Sequence, residues 1–129
     1  MQNQIRDYLI TLIDGIPALS GKVSLYRGEF EKDSGTHWNP EFPSCFIFMK
    51  GFTKDIEGTY GETLKKGYSY TVYVADRDDC AALVEQVYNA LDSVQLELDQ
   101  NFFNVNARLV KLLGYHHSVD VYMIELSVK

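Results

Sequence analysis

The stretch from Tyr68 to Leu91 has the sequence YSYTVYVADRDDCAALVEQVYNAL and places a strand directly before a helix. Tyr68–Val74 is rich in aromatic and β-branched residues, which favour a strand. After it, apolar residues recur with the helical period and predict one buried helix face. The members of this face are Cys80, Leu83, Val84, Val87, Leu91 and Val94.

Three aspartates mark the start of this helix. Asp76 is the expected N-cap, because an Asp side chain accepts hydrogen bonds from the unpaired N–H groups of a first turn. Asp78 and Asp79 are then favourable near the positive end of the helix dipole. We expect the helix to end between Asp92 and Leu98.

A second apolar stripe with helical spacing predicts a helix near the N-terminus. Its members are Ile5, Leu9, Leu12, Ile13 and Ile16. We expect Asn3 to cap this helix. Gly15 and Pro17 are expected to end it, because proline cannot continue a helix.

Four further segments have strand character. They are Lys22–Tyr26, Ser44–Lys50, Val105–Leu113 and Val119–Val128, the last two joined by a turn at Tyr115–Ser118. Ser44–Lys50 is apolar on both faces, which predicts a central strand covered on both sides. The order α-β-β-β-α-β-β predicts a single α+β domain over residues 1–129, with a mainly antiparallel sheet and two helices.

Two long polar stretches, Arg27–Pro43 and Gly51–Gly67, lack periodicity and are expected to be the most mobile parts of the chain. The middle of the second stretch is also compatible with a hairpin. Large aromatic side chains in such loops need a surface to bury against, either in the chain or on a partner. These aromatic residues are Trp38, Phe42, Phe52 and Tyr60.

The composition is that of a folded domain, with 46% hydrophobic residues and a net charge of −6. The negative charge argues against a protein that reads nucleic-acid sequence, which usually has a basic face, and against binding to an anionic membrane. No apolar run approaches the roughly 20 residues that span a bilayer. The first residues, MQNQIRDY, show no secretory signal pattern.

The histidines and cysteines are the side chains from which a reactive or metal site would be built. His116 and His117 are adjacent, with Asp120 as the one nearby carboxylate, so a structural turn is favoured over a metal site. Cys45 and Cys80 lie on apolar stripes, where burial keeps a thiol inert.

The remaining motifs also favour structural roles. Asp76, Asp78 and Asp79 lack the spacing of a calcium-binding loop, and helix capping explains them more simply. The glycines form no phosphate-binding pattern, and no GxSxG elbow is present. We therefore expect no catalytic residue, no cofactor and no metal.

From Ile5 to Val128 the chain resembles the tail-terminator and tail-completion proteins of long-tailed bacteriophages, in particular their Mu-like branch. The resemblance depends on the amphipathic first helix and three stretches of sequence. These are PSCFIFMKG, YSYTVYVADRDDCAALVEQVYNAL and LVKLLGYHHSVDVYMIELSV.

This resemblance implies a non-enzymatic protein of the virion tail that assembles in the bacterial cytoplasm. It implies a ring, typically a hexamer, that stops polymerisation at the head-proximal end of the tail tube. The implied partners are further copies of the chain, the tail tube protein and the head–tail connector protein. DNA would pass through the channel without specific binding, and no membrane is involved.

We expect the subunits of such a ring to meet through sheet edges and the first helix, with a neighbour supplying part of the cover of Ser44–Lys50. The loops are expected to contact the tube. The residues predicted for this contact are Arg27, Glu29, Trp38, Phe42, Phe52, Lys54 and Tyr60.

A rival hypothesis is a small α+β enzyme or ligand-binding domain with its pocket under the Arg27–Pro43 loop. A closed monomer with a cleft containing His37 would favour it. A ring without a deep polar pocket would favour the assembly protein.

Overall fold

The computed structural model describes residues 2–28, 30, 42–56, 64–116 and 119–129, with the side chains of 53–56, 64–66 and 114–116 excepted. The elements in chain order are α1 (Gln2–Asp14), a 3₁₀ turn (Pro17–Leu19), β1 (Val23–Leu25), β2 (Ser44–Ile56), β3 (Leu64–Asp76), α2 (Cys80–Leu91), β4 (Gln95–Leu98), β5 (Asn101–His116) and β6 (Val119–Val128).

The six strands form one sheet in the order β1-β2-β3-β6-β5-β4. Among the described strands, β1 and β2 pair in parallel and the other neighbours are antiparallel. The predicted α+β class, with two helices and a mainly antiparallel sheet, is confirmed. The structure adds β4, a four-residue strand where the sequence predicted only the end of the second helix.

Helix α1 buries the predicted stripe against the sheet, with Ile5, Leu9 and Ile13 fully enclosed. The prediction that Asn3 is its N-cap is wrong, because the helix already includes Gln2. Its end is as predicted: the chain leaves the α-helix after Asp14, and the following proline opens the 3₁₀ turn.

Helix α2 also buries its predicted face, but Asp79 is its N-cap. The Oδ1 atom of Asp79 accepts a 3.1 Å hydrogen bond from the backbone N–H of Ala82. Asp76, the predicted cap, is instead the last residue of β3, and its carboxylate accepts the N–H of Arg77 at 2.7 Å. The helix ends at Leu91, just before the predicted interval.

Both helices contribute to a single main core on one face of the sheet, called here the helix face. The largest buried side chains contributed by the strands are Ile47, Tyr70, Val72, Val74, Leu96, Ile124 and Leu126. Val94, predicted on the helix, packs against this core from the segment after it. The opposite side of the sheet is called the outer face.

Strands β2 and β3 are longer than predicted, and part of Gly51–Gly67 is therefore regular structure. They pair from Ser44 with Ala75 to Ile56 with Leu64, with a β-bulge at residues 49–51. Strand β6 pairs with β3 only from Tyr68 onward. Residues 53–56 and 64–67 therefore extend beyond the rest of the described sheet as a two-stranded ribbon, the β2–β3 arm.

The final hairpin also differs from its prediction in one strand. Strand β6 has the predicted bounds, whereas β5 begins at Asn101 rather than Val105 and extends to His116, so that it includes Tyr115, which was predicted in the turn. The expected mobility of the two polar stretches concerns mainly residues 29, 31–41 and 57–63, which lie outside the described residues.

Candidate interaction surface

The two cysteines are buried, as predicted. Burial raises the pKa of the fully enclosed Cys45 thiol. Cys80 donates a hydrogen bond from Sγ to the backbone oxygen of Val74 at 3.5 Å, and burial raises the pKa of this thiol to about 11. Both thiols are protonated at neutral pH, so neither is suited to act as a nucleophile.

The side chains considered as metal ligands are only partly described. His37, His117 and the side chain of His116 lie outside the described residues. Within the described part of the chain, no three His, Cys, Asp or Glu side chains form a group that could hold a metal. Asp76 and Asp79 serve the turn and the helix cap that follow β3.

The residues predicted to contact the tube are also partly described. Glu29, Trp38, Tyr60 and the side chain of Lys54 lie outside the described residues. Arg27 is exposed two residues after β1 ends.

The two other predicted contact residues lie at different ends of the sheet. The ring of Phe42 has the guanidinium carbon of Arg77 5.0 Å from its centroid, and it packs beside Ala75. Phe52 is 50% exposed, with its ring centroid 6.4 Å from that of Tyr68. Because Ala75 and Tyr68 are seven residues apart on β3, about 23 Å separates these two places.

Aromatic side chains from the same chain cover part of the outer face. The rings of Tyr26 and Tyr73 stack with centroids 4.3 Å apart, and Phe30 meets Phe46 edge-on at 5.5 Å. Phe46 is consequently only 7% exposed, whereas Phe48 remains 45% exposed. The neighbour expected to cover this strand is therefore not needed at Phe46.

An exposed apolar patch that the sequence analysis did not predict lies on β5. Strand β4 pairs only with residues 101–104, so the later part of β5 forms an edge of the described sheet. Its apolar residues are 41–46% exposed on both faces. They are Leu109, Val110, Leu112 and Leu113. Exposed edges with such side chains readily accept another strand.

A signal for this edge is present in the sequence. In a strand with one buried face, apolar residues alternate with polar ones. Here apolar residues occupy consecutive positions, at 109–110 and again at 112–113. That pattern predicts a need for cover on both faces, as the pattern of Ser44–Lys50 does.

The same edge is positively charged. Strand β5 contains Arg108 and Lys111 and no acidic residue. Arg108 lies beside a shallow cavity of about 210 Å³ on the sheet, where Lys50 Nζ and Glu125 Oε1 are 3.6 Å apart. That cavity therefore has two basic groups and one carboxylate.

A second, apolar groove of about 360 Å³ adjoins the edge on the helix face. Val84 and Tyr88 of α2 form one wall, and Val110 and Tyr122 form the other. The exposed edge and the groove share Val110, so they form one continuous surface. Neither this groove nor the shallow cavity is lined by residues of Arg27–Pro43, where the rival hypothesis places its pocket.

Comparison with known proteins gives no family for the chain. No protein-family model matches the sequence, and no curated protein is significantly similar to it. Among the described residues, none of the helices combines the length and apolar character needed to cross a membrane.

Proposed function

We propose that this chain is a structural assembly protein, a phage-type tail terminator or a related tail-completion protein. It forms a ring, typically a hexamer, at the head-proximal end of a tail tube, in a virion tail assembled in the bacterial cytoplasm. There it ends tube polymerisation and presents a joining surface to the head–tail connector.

The observation that carries this proposal is the exposed apolar edge of β5. A strand with unpaired backbone groups and side chains more than 40% exposed at four apolar positions is a liability in a protein that acts alone. In a subunit of an assembly, the same edge is covered by its neighbour. The edge therefore favours assembly over a solitary enzyme.

The β2–β3 arm supports the proposed contact with the tail tube. Its two strands pair with each other beyond the end of β6, so the arm extends past the body of the sheet. An extended hairpin of this kind can contact a second protein while the sheet edges remain free for subunit contacts. We assign the tail tube protein as the partner of the arm.

The charge of the chain fits a channel through which DNA slides. A net charge of −6 opposes condensation of a polyanion on the ring. No sequence-specific contact with DNA is part of the proposal.

Complementation tests this function. A phage or phage-like particle that lacks the gene should produce overlong or headless tails in electron micrographs. Supplying the chain should restore tails of normal length with heads joined, whereas Phe52→Ala, which removes a predicted contact residue that is 50% exposed at the base of the arm, should not.

Phe102→Ala is the matched control, because it removes an aromatic ring that is 61% exposed and outside the predicted tube contact. It should restore tails as the unaltered chain does. Normal, head-joined tails in the absence of the gene would overturn the proposed function.

A further inference from the structure

The backbone N–H and C=O groups of successive β5 residues point alternately toward β6 and away from it. The N–H and C=O groups of Asn104 pair with Lys129, at the end of β6, at 2.7 and 3.1 Å. The N–H of the next residue, Val105, points the other way and donates to Val94 at 2.8 Å. In an antiparallel ladder this alternation continues along each strand except at a β-bulge, and the register of β5 against β6 shifts at residues 107–109 and 112–114.

A side chain takes the place of a neighbouring strand at the next outward position. The N–H of Ala107 donates to Oδ1 of Asp92 at 3.0 Å. Beyond this point, Leu109 pairs with Glu125 and Lys111 with Met123. These two β6 residues point toward β5, because they are an even number of residues from Lys129.

It follows that the backbone groups of Val110 and Leu112 point away from β6. Their partners, Ile124 and Tyr122, are paired with β3 through the other side of β6. Within the described residues, no backbone or side-chain group takes up the N–H of Val110 or Leu112. The β5 edge, defined as residues 108–113, therefore offers two N–H groups to an added strand.

Charge indicates what that strand is. Residues 108–113 contain two positive charges and no negative one, with the carboxylates of Asp92 and Glu125 beside them, on a chain whose net charge is −6. The remainder of the chain is accordingly more acidic than the whole, so a second copy presents the complementary charge.

Pairing of the edge with itself is disfavoured. An antiparallel pair of β5 edges that uses both outward N–H groups would set Val110 of one copy opposite Leu112 of the other. Lys111 would then lie directly opposite Lys111 of the other copy, and like charges in that position are destabilising. A head-to-tail contact avoids this clash, and such contacts generate rings when their rotation closes.

We propose that the β5 edge binds an acidic extended segment of a second copy of this chain, which adds a strand to the sheet in a head-to-tail contact. The inference rests on the proposed function because it names the surface through which the ring forms. The added segment covers Val110 and Leu112 and closes the groove beside α2.

Sedimentation velocity on the full chain, from about 10 µM to about 1 mM, tests the contact. The upper concentration detects association with a dissociation constant as weak as about 1 mM. Association should increase with concentration and weaken in about 1 M salt, which screens charges beyond about 3 Å. A chain that is monomeric throughout this range overturns the proposal.

Val110→Pro removes one outward N–H and leaves the bonds between β5 and β6 intact, because proline is tolerated on an edge strand. It should weaken association about tenfold or more. Val110→Thr keeps the N–H and is the matched control, expected to associate within about threefold of the unaltered chain. Equal association of all three proteins overturns the proposal.

The charge variant Arg108→Glu/Lys111→Glu provides a second route if Val110→Pro fails to fold. It should also abolish association, and its mixture with the unaltered chain separates the two geometries. In a head-to-tail contact the variant still binds the β5 edge of the unaltered chain and caps it as a mixed dimer. Mixed dimers tighter than those of the unaltered chain would show that the edge pairs with itself, which overturns the proposal.

The sedimentation test of the β5 contact and the complementation test of the proposed function can fail independently. A chain that stays monomeric yet restores normal tails refutes the β5 contact and leaves the capping role intact. A chain that associates through β5 and fails to restore tails supports the β5 contact and refutes the capping role.

Discussion

The hydroxyl of Tyr70 on β3 donates a 2.6 Å hydrogen bond to the backbone oxygen of Gln2, the first residue of α1. The two residues are 68 positions apart in sequence. Tyr70 is only 1% exposed, so this bond fixes the start of α1 on the helix face from inside the core.

Tyr70→Phe should lower the free energy of unfolding by about 1 kcal/mol, because it removes the hydrogen bond and keeps the ring. Urea unfolding measures this change. Tyr8→Phe removes a hydroxyl from a tyrosine that is 39% exposed and should change stability by less than about 0.5 kcal/mol. Equal stability of both variants would show that the bond contributes nothing.

Stability should fall as the pH rises above about 8.5, the ordinary pKa of a thiol in an unfolded chain. Burial raises the pKa of Cys80 to about 11, so the folded state holds this proton more tightly than the unfolded state between these values. Unfolding then releases a proton, and each increase in pH favours it. Below about pH 8 the thiol makes no difference to the slope.

Urea unfolding between pH 7 and pH 10.5 measures this effect. Cys80→Ala should flatten the decline without abolishing it, because burial also raises the pKa values of Cys45 and Tyr70. The comparison uses slopes, since the substitution also alters packing. An unchanged slope would mean that Cys80 ionises equally easily in both states.

Val87→Asp should unfold the domain or prevent its accumulation. Val87 is fully enclosed at the centre of the buried face of α2, and an unpaired buried carboxylate costs several kcal/mol, comparable to the whole stability of a small domain. Circular dichroism and thermal unfolding provide the measurement. Gln86→Asp, one residue earlier on the exposed face, should remain folded.

Asp79→Ala should destabilise the domain by about 1 kcal/mol, because it removes the side chain that accepts the N–H of Ala82. Asp78→Ala is the matched control in the same turn and should change stability by less than about 0.5 kcal/mol. Chemical denaturation of both variants is the test. A larger effect at Asp78 would place the cap one residue earlier.

The sequence predicted those elements whose pattern depends on a single burial face. The bounds of β6 and the buried side of α2 follow from local periodicity, since each element presents one face to the core. The cap of α2 could not be chosen in the same way. Three aspartates were available, and the choice depends on how far β3 continues beside Asp120 of β6, which is a long-range pairing.

For a related reason, the sequence was compatible with a hairpin within Gly51–Gly67 but did not predict the strands of the β2–β3 arm. Its residues, TKDI and LKKG, show no apolar alternation, and the two strands pair with each other through backbone groups, which leave no pattern in the sequence. The role of β5 as an edge was likewise set by β4, which pairs with only its first four residues. Neither the pairing of the arm nor the short reach of β4 is encoded in a local pattern, although the consecutive apolar residues of β5 do indicate a need for cover.

The bulge in β2 gives the arm a mechanical property. Lys50 lies in the bulge, and its ammonium group is 3.6 Å from a carboxylate oxygen of Glu125, on β6, two strands away from β2. From Gly51, at the bulge, to Ile56, at the far end of the arm, β2 measures about 17 Å, so a change of about 10° in strand direction at the bulge moves Ile56 by about 3 Å. A shift of the Lys50–Glu125 pair that changes the strand direction at the bulge would therefore displace the end of the arm by more than it displaces the pair.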